Sequence, residues 1–447
     1  MTGKALKARV LAAVDRRAGE IIARGERLLA VPELGFREER TAAMVEGAFA
    51  AMGLPYRPGL ALTGLRADAP GTARPRIAVL GELDALPCLD SPHTDPSTGA
   101  AHICGHHMQL AAMLGVAQAL VDADAFGQVG GSVAFFAVPA EEMVELEYRL
   151  NLREKGQIGF ITGKAELLRL GCFDDVDLAL IVHAWSETAG RRATVGVSYN
   201  GVVTKEVVFR GKKAHAGAAP HRGINALTAA NLAWAAIQAQ RETFREEDTV
   251  RVHGIVTHGG AAINIIPDLV RLELMVRART LEALAGANAK VNRAVRSGGL
   301  ALGAGVAIRD VPGYLPFEPY GPLDAVVARN FAALLGPEQV EAGGHRTAST
   351  DAGDLSHVMP VAHPLVGGFE GGVHTANFRA VDLEMAYVMP TRALAGAVVD
   401  LLAEGAEQAQ AVLADWQPRL SAQAYRDYMA RAFQEQTWDE GGGCGPG

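Results

Sequence analysis

The chain reads as an α/β protein: a mostly parallel central sheet flanked by helices, interrupted by an inserted ferredoxin-like α+β domain. Three observations predict this. Short, nearly continuous apolar runs alternate with helical patterns over the first part of the chain, as strands covered on both faces do. From about residue 196 to 312 the order becomes β-α-β-β-α-β, a split βαβ unit. After residue 312 the first pattern returns. At 447 residues, 49% of them hydrophobic, the chain has the material for two or three domains and a large core. The expected division is an α/β domain over 1–195 and 313–435, the insert over 196–312, and a disordered Gly-rich tail over 436–447.

Taken in order, residues 1–20 mix Lys, Arg, Asp and Ala and predict an exposed amphipathic helix; without an apolar h-region they are not a secretory signal. Residues 76–83 (RIAVLGEL), 132–138 (SVAFFAV) and 178–182 (LALIV) are strand candidates. Residues 108–123 and 162–170 between them are helical. In the insert, 197–210, 249–257, 269–276 and 306–311 read as strands, 225–241 and 281–296 as helices. Then come a helix at 323–335, a strand at 363–368, a long helix at 394–414 and polar helical sequence to about 435.

Chemistry-bearing residues fall at the ends of the strand candidates. Asp84 follows the first run, Glu141 and Glu142 the second, and His183 ends the third. In open α/β sheets ligands sit outside the carboxyl ends of the strands, so these residues should meet at one edge. His102, Cys104, His106 and His107 crowd into six residues ahead of a helix, and His374 follows a Gly-Gly pair that permits a turn. Cys104 and His106 read either as a buried thiol and a core histidine or, taken together, as ligands of a transition metal. Glu141 and Glu142, as adjacent carboxylates, suit divided labour, one on the metal and the other free to take a proton from water. Asp84 fits a carboxylate that orients a ligating histidine. His102 and His107 are expected to support the site or touch substrate; Asp351 and Asp354 read as helix caps.

The net charge of −8 argues against a nucleic-acid partner, and no apolar run approaches the length of a membrane span. Cys88, Cys104, Cys172 and Cys444 are too scattered for a disulfide framework, which points to the reducing cytoplasm.

The motifs Gly81-Glu82-Leu83-Asp84-Ala85-Leu86-Pro87, Cys104-Gly105-His106, Pro139-Ala140-Glu141-Glu142, His215-Ala216 with Pro220, Asn264-Ile265-Ile266-Pro267 and Ser349-Thr350-Asp351-Ala352-Gly353-Asp354 occur in one order. In this the chain resembles the metal-dependent aminoacylase/carboxypeptidase amidohydrolases of the zinc-exopeptidase clan, with the aminobenzoyl-glutamate hydrolases as the nearest branch. The resemblance implies one or two divalent ions, manganese or zinc or else cobalt, on Cys104, His106, Glu142, His183 and His374. It implies Glu141 as general base and His215 as a lid histidine that reaches a neighbouring subunit. It places Asn264 and Arg277 at a substrate carboxylate, and it makes the insert a lid and homodimerisation domain. The chain departs from the family at His107, in the stretch 88–103, and in an expanded charged run, 145–155, after Glu142. The expected activity is hydrolysis of an amide in a small carboxylate-bearing substrate: an N-acyl amino acid, aminobenzoyl-glutamate or a dipeptide. The alternatives are hydrolytic deamination of an aryl amine such as nitroanthranilate, and a metal-binding scaffold without catalysis.

Overall fold

The structure is a computed structural model that describes residues 2–71, 73–186 and 190–439, and the chain divides into two compact units. The first comprises residues 1–198, 318–345 and 350–423; the second comprises 199–317, 346–349 and 424–447.

The first unit is built on a six-stranded sheet in the order Tyr56–Leu60, Gly64–Asp68, Ser132–Val138, Arg76–Glu82, Leu178–Leu180, Val361–Ala362. The last four strands are parallel, and the first two join antiparallel. Both faces of the sheet are covered. Phe135 packs against Phe49, while its neighbour Phe136, pointing the other way, stacks on Phe173 at 4.3 Å. This is why 132–138 is apolar without alternation. The helices Gly3–Arg16, Ala18–Leu29, His106–Asp122 and Met389–Leu402 pack on one another.

Several expectations change. The N-terminal helix is not simply exposed: Leu6, Val10, Ala13 and Val14 are buried in the core. Residues 394–414 do not form one helix; it breaks at Ala403–Ala406, where Gly405 and Ala406 take φ of 75° and 62°. The strand expected at 363–368 is two short ones, Val361–Ala362 on the main sheet and Leu365–Val366 on a four-stranded accessory sheet. His183 does not end its strand but opens another, His183–Ala184, in that accessory sheet. One helical stretch among the described residues, Glu384–Leu402, is apolar and long enough to cross a membrane, but 89% of it is buried inside the molecule. Asp324, in the first turn of the helix Gly321–Leu335, is 7% exposed, and neither of its carboxylate oxygens has a hydrogen-bond partner.

The second unit has an antiparallel sheet in the order Arg251–His258, Leu269–Ala278, Gly201–Arg210, Gly305–Pro312, Gln434–Trp438, with the helices Ala226–Ala239 and Leu281–Leu302 packed on it. The first four strands and both helices realise the β-α-β-β-α-β order. The fifth strand corrects the C-terminal boundary. Residues 434–438 pair with Val306–Asp310 rather than trailing off as a tail, and Arg296 lies over the Trp438 ring. The helix Ala422–Ala432 belongs to this unit almost entirely. The expected disorder of 441–447 lies outside the described residues.

Candidate metal centre

The carboxyl ends of the parallel strands of the first unit carry the site. The strand Arg76–Glu82 delivers Glu82 and, two residues on, Asp84. Ser132–Val138 leads into the turn Pro139–Glu142. Gly105 sits at the N-terminus of the helix His106–Asp122 with φ 97°, and a Cβ there would lie 2.5 Å from the Cβ of Ala184. Only glycine fits both constraints, and the sharp change of direction is what turns Cys104 and His106 toward one region. His374, with φ 66°, donates its backbone N–H to the carbonyl of Ile103, which ties its loop to the Cys104 segment.

These elements bring the five expected ligands together. The Cys104 sulfur lies 3.4 Å from His183 Nε2 and 3.3 Å from His374 Nε2, and His374 Nε2 lies 3.0 Å from Glu142 Oε1. His106 Nε2 is 3.1 Å from Glu82 Oε2 and 3.9 Å from Glu141 Oε2. Three sets of donor atoms therefore lie within 4.8 Å of one another: Cys104, His106 and His183; Cys104, Glu142 and His374; Glu82, His106 and Glu141. The second nitrogens are fixed. Nδ1 of His106 faces the Asp84 carbonyl at 2.8 Å and its carboxylate at 3.2 Å, and Nδ1 of His183 faces the Ala184 carbonyl at 2.7 Å. This leaves the Nε2 atoms to point inward, the arrangement that orients ligating imidazoles.

The donor set fits a divalent cation. His106 Nε2, Glu82 Oε2 and Glu142 Oε1 are buried and, despite polar neighbours at 3.1 and 3.0 Å, complete no well-formed hydrogen bond, a costly state that a cation relieves. A thiolate, imidazoles and carboxylates together suit zinc, manganese or cobalt. Burial and the Glu142 charge push the Cys104 thiol up, but His183, His106 and His374 outweigh them and bring it to about 6, so the ligating thiolate form is favoured. Burial, then the charges of Glu82 and Glu142, holds the Glu141 carboxyl well above the usual range.

Sequence reasoning passed over part of the site. Lys164 is fully buried and donates to both Glu82 and Asp351, so Asp351, which stands at the N-cap of Ala352–Ser356 as expected, makes no side-chain capping hydrogen bond and serves instead as an ion-pair partner. A lysine inside the apolar pattern 162–170 was the available signal. Glu38 is buried too and accepts hydrogen bonds from Thr63 and from the backbone of Ala140. His107 is not brought to the cluster: it is buried against His102 and Tyr387, where the helix His106–Asp122 enters the core, and so is not placed to touch substrate. His215, Asn264 and Arg277 all lie in the second unit. His215 and Asn264 are exposed on adjoining backbone, with Ala216 N donating to the Asn264 carbonyl, and Arg277 donates to Ser349.

Residues 197–301 match the family model of the peptidase dimerisation domain of M20 proteins. The chain is 30% identical to the Xaa-Arg dipeptidase of Mus musculus over 378 residues, 80% of this chain and 79% of the relative. It is 28% identical to the N-acetyl-L-cysteine deacetylase of Bacillus subtilis over 256 residues, 55% of this chain and 56% of the relative. Among solved structures, a Bacillus subtilis dinuclear metal binding peptidase of the M20 family superposes with a TM-score of 0.65 at 21% identity, covering 87% of this chain and 99% of that one. The sequence match to the dipeptidase spans both units and the fold agrees, so the chain belongs to the aminoacylase branch of the M20 family of metal-dependent hydrolases that act on C–N bonds.

Proposed function

We propose that the protein hydrolyses the amide bond of a small carboxylate-bearing substrate, an N-acyl amino acid or a dipeptide, at a site of one or two divalent ions held by Cys104, His106, Glu142, His183 and His374. The observation that carries the reading is the pairing of Glu141 and Glu142 at one strand end: Glu142 lies against His374, while Glu141 lies beside His106 and Glu82. A divalent cation bound there would supply Lewis acidity to the carbonyl and acidify water at neutral pH. Glu141 accepts the proton of the attacking water on a carboxylate oxygen and returns it to the leaving nitrogen. Asp84 holds His106 in one orientation, and Lys164 holds Glu82.

Zinc or manganese is the proposed metal, with cobalt as a substitute; the thiolate leans toward zinc. The roles of His215 at the developing oxyanion, and of Asn264 and Arg277 at the substrate carboxylate, are proposed on the family resemblance alone. A homodimer through the second unit is supported by its outer strand Arg251–His258, where Ile255 and Val256 are 63% and 55% exposed on an unpaired edge. Cys88, Cys104 and Cys172 are free thiols, in keeping with the proposed cytoplasmic location. The aryl-amine alternative gains no support from these relatives, whose activities concern dipeptides and an acetylated amino acid.

The test is turnover of Xaa-Arg dipeptides and N-acetyl amino acids with Mn²⁺ or Zn²⁺, by the wild type and by Glu141→Gln. The variant should lose about 10²–10⁴-fold in rate while metal content by elemental analysis is unchanged. Full activity of Glu141→Gln, or no turnover of any amide by the wild type with either metal, overturns the reading.

A further inference from the structure

The expanded run after Glu142 would ordinarily be a solvated charged face, yet it contains one of the most deeply buried cations in the molecule. The helix Leu146–Glu154 buries Leu146, Leu150 and Leu152, and with them Arg149, which is 1% exposed. Its guanidinium donates from Nη1 to the carbonyls of Ile161 at 2.7 Å and Ala140 at 3.3 Å, and from Nη2 to the carbonyl of Glu142; Phe36 lies against its plane. Arg37 pins the start of the helix, pairing with Glu145 at 2.8 Å and lying over the Tyr148 ring. Burying a guanidinium is costly, and here its hydrogen bonds go to backbone carbonyls rather than to a carboxylate.

Two of those carbonyls flank Glu141. Ala140 is in the left-handed region with φ 48°, an unfavourable conformation for a residue with a Cβ. The turn is held from every side. The Ala140 N–H donates to Glu38 at 2.7 Å, its carbonyl accepts from Gly163 at 3.1 Å and from Arg149, and the Glu142 N–H donates to Asp84 at 2.9 Å. There is no slack: a Cβ on Gly163 would lie 1.6 Å from the Pro139 carbonyl, and one on Gly35 would meet both Arg149 and Ala140 inside 3 Å. Strain of this kind persists only where the surroundings over-determine it.

We propose that Arg149 is a positioning residue: delivered by the helix Leu146–Glu154, it locks the strained Ala140 turn so that Glu141 and Glu142 are aimed at different partners. The proposal deepens the function given above and rests on it for the roles of the two carboxylates, but the lock itself is a property of the chain alone. Lysine cannot replace the fork, because a single ammonium does not reproduce donors on two separate nitrogens that reach the carbonyls of Ala140, Ile161 and Glu142.

The test compares wild type, Arg149→Lys, Arg149→Met and Arg149→Ala, first by loading with Co²⁺ alone and reading the cobalt absorption spectrum and the Co²⁺ affinity, which need no substrate. It then measures kcat and KM for hydrolysis of N-acetylmethionine. Arg149→Met should weaken Co²⁺ binding by about 10–100-fold, alter the ligand-field bands as Glu142 shifts, and lower kcat by about 100-fold with KM little changed. Guanidinium ion added to Arg149→Ala should restore part of kcat. If Arg149→Met does not fold, Arg149→Lys with a wild-type melting curve decides: reduced kcat and a changed cobalt spectrum support the lock, and values equal to wild type overturn it. Glu141→Gln run in parallel separates the two ideas, since a fully active Glu141→Gln removes the base assignment while the cobalt spectra still report on the turn.

Discussion

Asp324 should make the stability of the first unit fall as pH rises from about 4 to about 7. Burial pushes its carboxyl up to about 7 from an ordinary value of 3.8, and no hydrogen bond reaches either oxygen. The folded chain therefore holds a proton that the unfolded chain has released across that window. Stability is fully present below the unfolded pKa, is lost as pH rises toward the folded pKa, and stays low above it. Three pKa units at about 1.4 kcal/mol each give about 4 kcal/mol. The position in the first turn of a helix favours the anion and removes up to about 1 kcal/mol, which leaves about 3 kcal/mol. Asp324→Asn abolishes the titration. The assay is urea denaturation of the metal-free protein at steps from pH 4.5 to 8, wild type against variant. Other titrating groups are common to both proteins and cancel in the difference. The variant should gain about 2 kcal/mol on wild type between pH 4.5 and 8, the rest of the effect falling below pH 4.5, whatever constant offset the amide introduces. Curves that stay parallel within about 0.5 kcal/mol would refute the reasoning, because they would mean that Asp324 is solvated or paired.

Lys164→Met leaves Glu82 and Asp351 buried without their shared cation and should cost about 3–5 kcal/mol in denaturant titration; adding Glu82→Gln and Asp351→Asn to it should recover much of the loss. Gly105→Ala places a Cβ against Ala184 at a positive φ and should cost about 2 kcal/mol or more, with a parallel drop in Zn²⁺ affinity by chelator competition, since Gly105 joins Cys104 to His106. Ile255→Asp on the outer strand of the second unit should convert a dimer to a monomer by light scattering without lowering the melting temperature by more than a few degrees.

The central strands and the candidate site residues at their ends were legible for one reason: a strand buried on both faces writes itself as an unbroken apolar run, and its carboxyl end is where polar residues begin. That is how Asp84, Glu141 and Glu142 stand out as candidates in the sequence. Glu82 escaped because it is the last residue inside such a run rather than the first one after it. Lys164, Asp351 and Arg149 escaped because their partners are set by folding. Lys164 meets Asp351 from 187 positions away, and no local periodicity encodes that. His183 misled by sitting at the end of an apolar stretch that the fold cuts into two strands in two sheets. The strands Tyr56–Leu60 and Gly64–Asp68 are only five residues each and are broken up by Arg, Gly and Pro, and left little pattern to read. Gln434–Trp438 is a polar strip because an outer strand needs only one side buried.

That last strand has a consequence for how the protein is made. Four strands of the second sheet are available once Pro312 has left the ribosome, but the open flank at Val306–Asp310 is not closed until Gln434–Trp438 follows. At 5–20 residues per second this is a wait of roughly 10 s. Through that interval a nascent chain carries a row of unsatisfied backbone groups beside a finished hydrophobic layer, and the same flank is bared for good in any product truncated before residue 434. Folding yield, rather than the chemistry of the metal site, is where the cost of such a truncation should first appear.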